Sequence, residues 1–185
     1  MELYRQLAAE FPAVASHRHE LAGVMHNLAV RAKQTNDQAD AKRLLLEAQA
    51  IQKGLLATNP NQPEFRRNYC DNRSTMASVA IITGEHAEIP AIVAEMLAYS
   101  MKLKEDHFNA AAVLAEATRL AHNDNRLSAE QKTQLVEQYS AKAVEYLKQA
   151  TALGFRDAET ARNESRFASI RERADFAAWL ASLAP

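Results

Sequence analysis

The imidazoles lie closest together in the stretch Ser16-His17-Arg18-His19-Glu20, with His26 seven residues beyond His19. A metal centre needs three or four such groups converging on one point. On a helix, residues two apart point away from each other, so His17 and His19 diverge, while His19 and His26 share a face. No third ligand stands close by, and these side chains read as solvated or hydrogen-bonded histidines. The single cysteine, Cys70, has no partner for an internal disulfide, and in a helical pattern it reads as a small packing residue. A phosphate-cradling loop needs clustered glycines, but Gly23, Gly54, Gly84 and Gly154 are each separated by thirty or more residues. No nucleophile, acid–base pair, cofactor loop or metal set emerges, so the expectation is a chain without catalytic, cofactor-binding or metal-binding residues.

Arg66, Arg67 and Arg73 form the most local basic cluster. It can serve a helix surface or hold a carboxylate in a paired contact. Asp40 with Lys42 and Arg43 is the kind of mixed charge that lines a solvated helix face. Over the whole chain, 22 Lys and Arg stand against 23 Asp and Glu, giving a formal charge of −1. Without a positive field, a nucleic-acid partner is not expected. No stretch approaches 18 uninterrupted apolar residues, and no basic segment followed by an apolar run opens the sequence. Neither a membrane span nor a signal peptide is expected, and no direct membrane insertion.

The elements that must carry these residues are helices. Hydrophobic residues make up 48% of the chain, with only 4 Gly and 5 Pro, a composition that favours helix. Breaks are expected at Phe11-Pro12, Asn36-Asp37, Asn59-Pro60 to Pro63, Gly84, roughly Lys104-Asp106, Asn123-Asn125 and Gly154. Between them apolar residues recur at spacings of three and four, as in Leu21, Val24, Met25, Leu28 and Ala32, and in Ala41, Leu44, Leu45, Ala48, Ile51 and Leu55. The prediction is an all-α fold of antiparallel helices joined by short turns. Shifting the sequence by 48 pairs Leu7 with Leu55, Pro12 with Pro60, Arg18 with Arg66, Ala29 with Ala77 and Thr35 with Thr83. The prolines therefore mark repeat boundaries, because proline stops one helix pair and fixes where the next begins.

In the first unit, Leu28-Ala29 lies on a helix A, a polar turn follows at Asn36-Asp37, and Ala41, Leu45 and Ala48 lie on a helix B. This large-small pair followed by a small-large-small series resembles the tetratricopeptide repeat. Met76-Ala77, Gly84, Ile89, Val93 and Met96 make a degenerate second unit, with Pro90 in the first turn of a helix B that begins near Glu88. A third carries Asn109 to Ala111 and then Ala143, Leu147 and Ala150. From Asn27 to Thr75 the interval is 48 residues, and from Thr75 to Asn109 it is 34, the tetratricopeptide length. The extra residues fit as two turns on each of the flanking helices. The resemblance implies a helical-hairpin solenoid of about three units over residues 1–153. A C-terminal helical cap of the same domain would span 154–185, with short helices near Asp157 and Ser165 and an apolar one from Arg173 to Ala184.

The order of "FPAVASHRHELA", "NPNQPEFRR", "DHFNAAAVLA", "YSAKAVEYLKQATALGFRDAE" and "FASIRERADFAAWLASL" is also similar to the helical C-terminal regions of planctomycete-type bacterial serine/threonine protein kinases. No Asp-Phe-Gly or His-Arg-Asp element is present, so any kinase domain lies elsewhere in a parent polypeptide. The resemblance implies a non-catalytic docking or scaffold region that binds a protein or peptide partner. By repeat register His19, His26, Val30 and Lys33 from the first unit, and Arg67, Asp71, Ser74 and Ser78 from the second, would line its concave surface. The alternative is homo-oligomerisation through the first end, where Met1 to Glu10 reads as a helix B without its partner. A cytoplasmic location is expected, or an extracytoplasmic one if the parent carries an upstream span.

Overall fold

The computed structural model describes residues 1–101 and 103–183. The expected ends of the cap at Ala184 and of the domain at 185 lie outside the described residues. Everything described is helix, turn or irregular, with no strand among the described residues. The α-helices are α1 (Glu2–Glu10), α2 (Ala15–Gln34), α3 (Gln38–Thr58), α4 (Pro63–Thr83), α5 (Ile89–Tyr99), α6 (Lys104–Asn123), α7 (Ala129–Ala152), α8 (Ala158–Asn163) and α9 (Ala174–Ala181). Two 3₁₀ segments, His86–Glu88 and Ser165–Ser169, precede α5 and α9. The chain falls into two compact units, the first Met1–Val79 with Ala98–Ser100, the second Ala80–Leu97 with the residues from Met101 onward.

In the first unit α2 and α3 fold back on each other about a short turn. Asn36 takes the left-handed conformation there (φ 62°), which asparagine tolerates better than most residues. The Asp37 amide reaches back to the Ala32 carbonyl at 2.8 Å, and the Asp37 carboxylate then caps α3 by accepting from the Asp40 amide at 3.0 Å. The same stop recurs 48 residues on: Gly84 has φ 74° and the Glu85 amide donates to the Ala80 carbonyl at 2.8 Å. A sequence offset of 48 thus coincides with a repeated backbone event, a left-handed residue at the end of α2 and of α4. Ala29, Ala41 and Ala48 are wholly buried, together with Leu45, and α2 packs along α3. Methyl side chains allow the close approach, and the leucine fills the space beside it.

In the second unit α6 and α7 make the main hairpin. Ser128 opens α7 with a reciprocal cap, accepting from the Gln131 amide while the Gln131 side chain accepts from the Ser128 amide. Ala110, Ala111, Ala115, Ala143, Leu147 and Ala150 are fully buried. Gly154 (φ 98°) stops α7, with the Phe155 amide on the Ala150 carbonyl at 2.9 Å. Beyond it Phe155 stacks on Phe108 at 4.6 Å, and Phe167, Phe176 and Trp179 continue the aromatic cluster. Trp179 donates its indole N–H to Thr151 Oγ1 at 2.8 Å, so the ring's one polar atom is satisfied inside the contact.

Two boundaries differ from expectation. The break expected at roughly Lys104-Asp106 ends before it, since α6 already begins at Lys104, where acidic Glu105 and Asp106 suit the positive end of a helix. The helix expected to begin near Glu88 is α5, which begins at Ile89 after the 3₁₀ turn with Pro90 in its first turn, as expected. The last helix starts at Ala174 with Arg173 as its cap residue, and the segment near Ser165 is 3₁₀.

Candidate functional site

All eight residues placed on the candidate surface by register lie on two helices, His19, His26, Val30 and Lys33 on α2 and Arg67, Asp71, Ser74 and Ser78 on α4. Two contacts tie these helices side by side. His19 Nε2 lies 3.2 Å from both Asn68 Nδ2 and Glu64 Oε1, and its ring packs 5.1 Å from that of Phe65. One heptad on, His26 Nε2 lies 3.0 Å from Thr75 Oγ1. Both pairs are 49 residues apart. The heptad between the histidines is matched by the heptad between Asn68 and Thr75, as two helices lying alongside each other require.

The eight residues then separate. His19 is buried and serves the helix contact. His26, Val30 and Lys33 are half-buried, and Ser78 is half-buried with its hydroxyl on the Ser74 carbonyl at 3.2 Å. Arg67, Asp71 and Ser74 are exposed. Burial holds the His26 imidazole below its usual pKa, nearby Asp71 opposes that shift and Lys33 adds to it. His26 is therefore neutral at pH 7 and works as a hydrogen-bonding group.

The three clustered arginines serve different ends. Arg66 donates to the carbonyls of Tyr99 and Ser100 at 2.8 and 2.6 Å. Arg73 is buried, donates to Asn72 Oδ1 at 3.2 and 2.5 Å, and lies 5.8 Å from the centre of the Tyr69 ring. Only Arg67 of the three is exposed.

Register arithmetic missed the polar residues that fix α4. Asn72 is fully buried and donates to the Leu45 carbonyl at 3.1 Å, and buried Gln52 donates to the Asn68 carbonyl at 3.1 Å. Their signal was an amide standing at a position of the apolar stripe, Gln52 between Ala48 and Leu55 on α3 and Asn72 between Tyr69 and Met76 on α4. His86 was missed too. It is buried, with Nε2 3.2 Å from Asp124 Oδ2 and Nδ1 3.4 Å from the Tyr139 hydroxyl. Arg126 grips the same Asp124, first through side-chain and backbone hydrogen bonds, and holds its carboxyl well below the usual range. These residues are 38 and 53 positions from His86, so no local motif could have joined them.

Among the described residues no group of three or more His, Cys, Asp or Glu side chains is placed to hold a metal ion. Among the same residues no helix is long and apolar enough to cross a membrane. No family model, curated protein or solved structure matches the chain.

Proposed function

We propose that this chain is a non-catalytic protein–protein interaction module, a tetratricopeptide-like solenoid with a C-terminal cap, and that it forms the docking region of a bacterial serine/threonine kinase. The observation that carries the reading is the lateral pairing of α2 with α4 through His19–Asn68 and His26–Thr75. Two helices held side by side present a broad surface rather than a cleft, and here it bears an exposed cation, an exposed anion and a hydroxyl at Arg67, Asp71 and Ser74. Such a surface suits an extended or helical peptide with polar groups of both signs. The repeated stop at Asn36 and Gly84 supports the tandem-hairpin reading. The test is capture of a partner from native lysate by the immobilised chain, identified by mass spectrometry, followed by Ser74→Arg. A bulky cation on the proposed surface abolishes capture if the reading holds.

The second reading is homo-oligomerisation through α1. No residue of α1 is buried, and Leu3 and Phe11 are 64% and 49% exposed. By the 48-residue shift Leu3 corresponds to Ile51 of α3, which is half-buried. Mass measured against concentration by sedimentation separates the two readings, since only the second requires a second copy.

A further inference from the structure

Within the second unit, α5, α6 and α7 line a half-open pocket of about 380 Å³, inside the range of roughly 300–1,000 Å³ typical of small-ligand sites. Its walls are apolar, supplied by Pro90 and Ala94 of α5, Leu114 of α6 and Ala141 of α7. The polar groups all come from α7: Tyr139 and Tyr146, seven residues apart, with Gln138, Lys142 and Glu145. Both phenols are pushed up from their ordinary pKa by burial, so the rings are neutral at pH 7. The Tyr139 hydroxyl lies 3.4 Å from His86 Nδ1, and the other ring nitrogen of His86 lies 3.2 Å from Asp124 Oδ2.

The chain's own Lys142 shows what the site's chemistry favours. Its ammonium sits 5.0 Å from the centre of the Tyr146 ring and 2.9 and 2.8 Å from the two oxygens of Glu145. An aromatic face beside a carboxylate, on the edge of an apolar cavity, is the arrangement that holds an alkylated ammonium group. We propose that this cavity binds a small organic cation with an apolar body, its charged head over Tyr146 and against Glu145, in the place that the Lys142 ammonium takes in the free protein. Lys142 is then an internal competitor. Its side chain is 45% exposed, and the side chain of Glu145 is 50% exposed, so the lysine can swing to solvent without disturbing the core.

Choline and its uncharged carbon isostere 3,3-dimethylbutanol, titrated into the full chain by calorimetry and by NMR shifts of the α7 amides, test this. Lys142→Ala should bind choline about tenfold more tightly than the unaltered chain and should prefer it to the isostere. In the Lys142→Ala background Glu145→Gln, an exposed and structurally mild change, should weaken that preference, leaving the share that Tyr146 supplies. Tyr146→Leu should abolish binding, with the melting temperature as its control for folding. Choline binding that is equal with and without Lys142 overturns the proposal. So does equal binding of the isostere, an undiminished preference in the Glu145→Gln double variant, or no choline binding to Lys142→Ala.

Discussion

Replacing Ala48 by Phe tests the packing that places the candidate surface. Ala48 is wholly buried on α3, as are Ala29 and Ala41 in the same hairpin. Six added carbon atoms would have to fit where Ala48 is already wholly covered, so α3 must move off its neighbour or the ring must leave its preferred rotamers. Overpacking of this kind costs about 1–3 kcal/mol. For a chain of 185 residues, roughly 2–4 °C is lost per kcal/mol, so the melting midpoint should fall by about 2–12 °C. Ala50, two residues along and exposed, is the control: Ala50→Phe should stay within about 0.5 kcal/mol of the unaltered chain. The assay is thermal unfolding followed by far-UV circular dichroism. Unfolding midpoints that agree for Ala48→Phe and the unaltered protein, or equal losses for the two replacements, would refute the placement of α3 against its neighbours.

Other perturbations have expected outcomes of their own. Gly84→Ala puts a Cβ on a residue at φ 74° and should cost about 1–2 kcal/mol in a denaturant melt even though the space beside it is open; no loss would mean that the turn can adopt another conformation. Ser128→Ala removes the cap of α7 and should cost about 1 kcal/mol, read from the same melts, with full stability retained in Ser128→Asp. Because His26 is depressed below its ordinary value, the unfolded chain binds a proton there before the folded chain does. That contribution is complete above pH 6.5 and is lost as pH falls towards the folded value. His26→Gln should flatten the stability–pH curve in that window, and an unchanged curve would place the titrating group elsewhere.

The helices were legible because their periodicity is local. Leu21, Met25 and Ala29 on α2, and Ala41, Leu45 and Ala48 on α3, are spaced as an α-helix spaces its inner face, and all six are buried. The turns at Asn36, Gly84 and Gly154 were legible for the same reason, since a left-handed residue selects Asn or Gly. Charge was harder to read: Glu105 and Asp106 looked like a break and instead start α6. At the candidate surface the two helices were legible, but the role of each side chain was not. Placing His19 opposite Arg67 used an offset of 48, while the contacts run at 49 and bring His19 to Asn68. One residue is about 100° of helix, enough to turn a side chain from an open face into a helix contact. Pairings such as His86 with Asp124 depend on how three separate segments pack, and nothing within reach of a local pattern announces them.

The measurement that bears most directly on the proposed function is partner capture by three proteins in parallel: the unaltered chain, Ser74→Arg on the α2–α4 surface, and Ala50→Arg on the exposed side of α3. Each is immobilised at equal density after its fold has been verified by circular dichroism, and captured proteins are quantified by mass spectrometry. A docking surface on α2 and α4 predicts at least one protein retained by the unaltered chain and by Ala50→Arg and lost from Ser74→Arg. Identical capture profiles for all three folded proteins would contradict it.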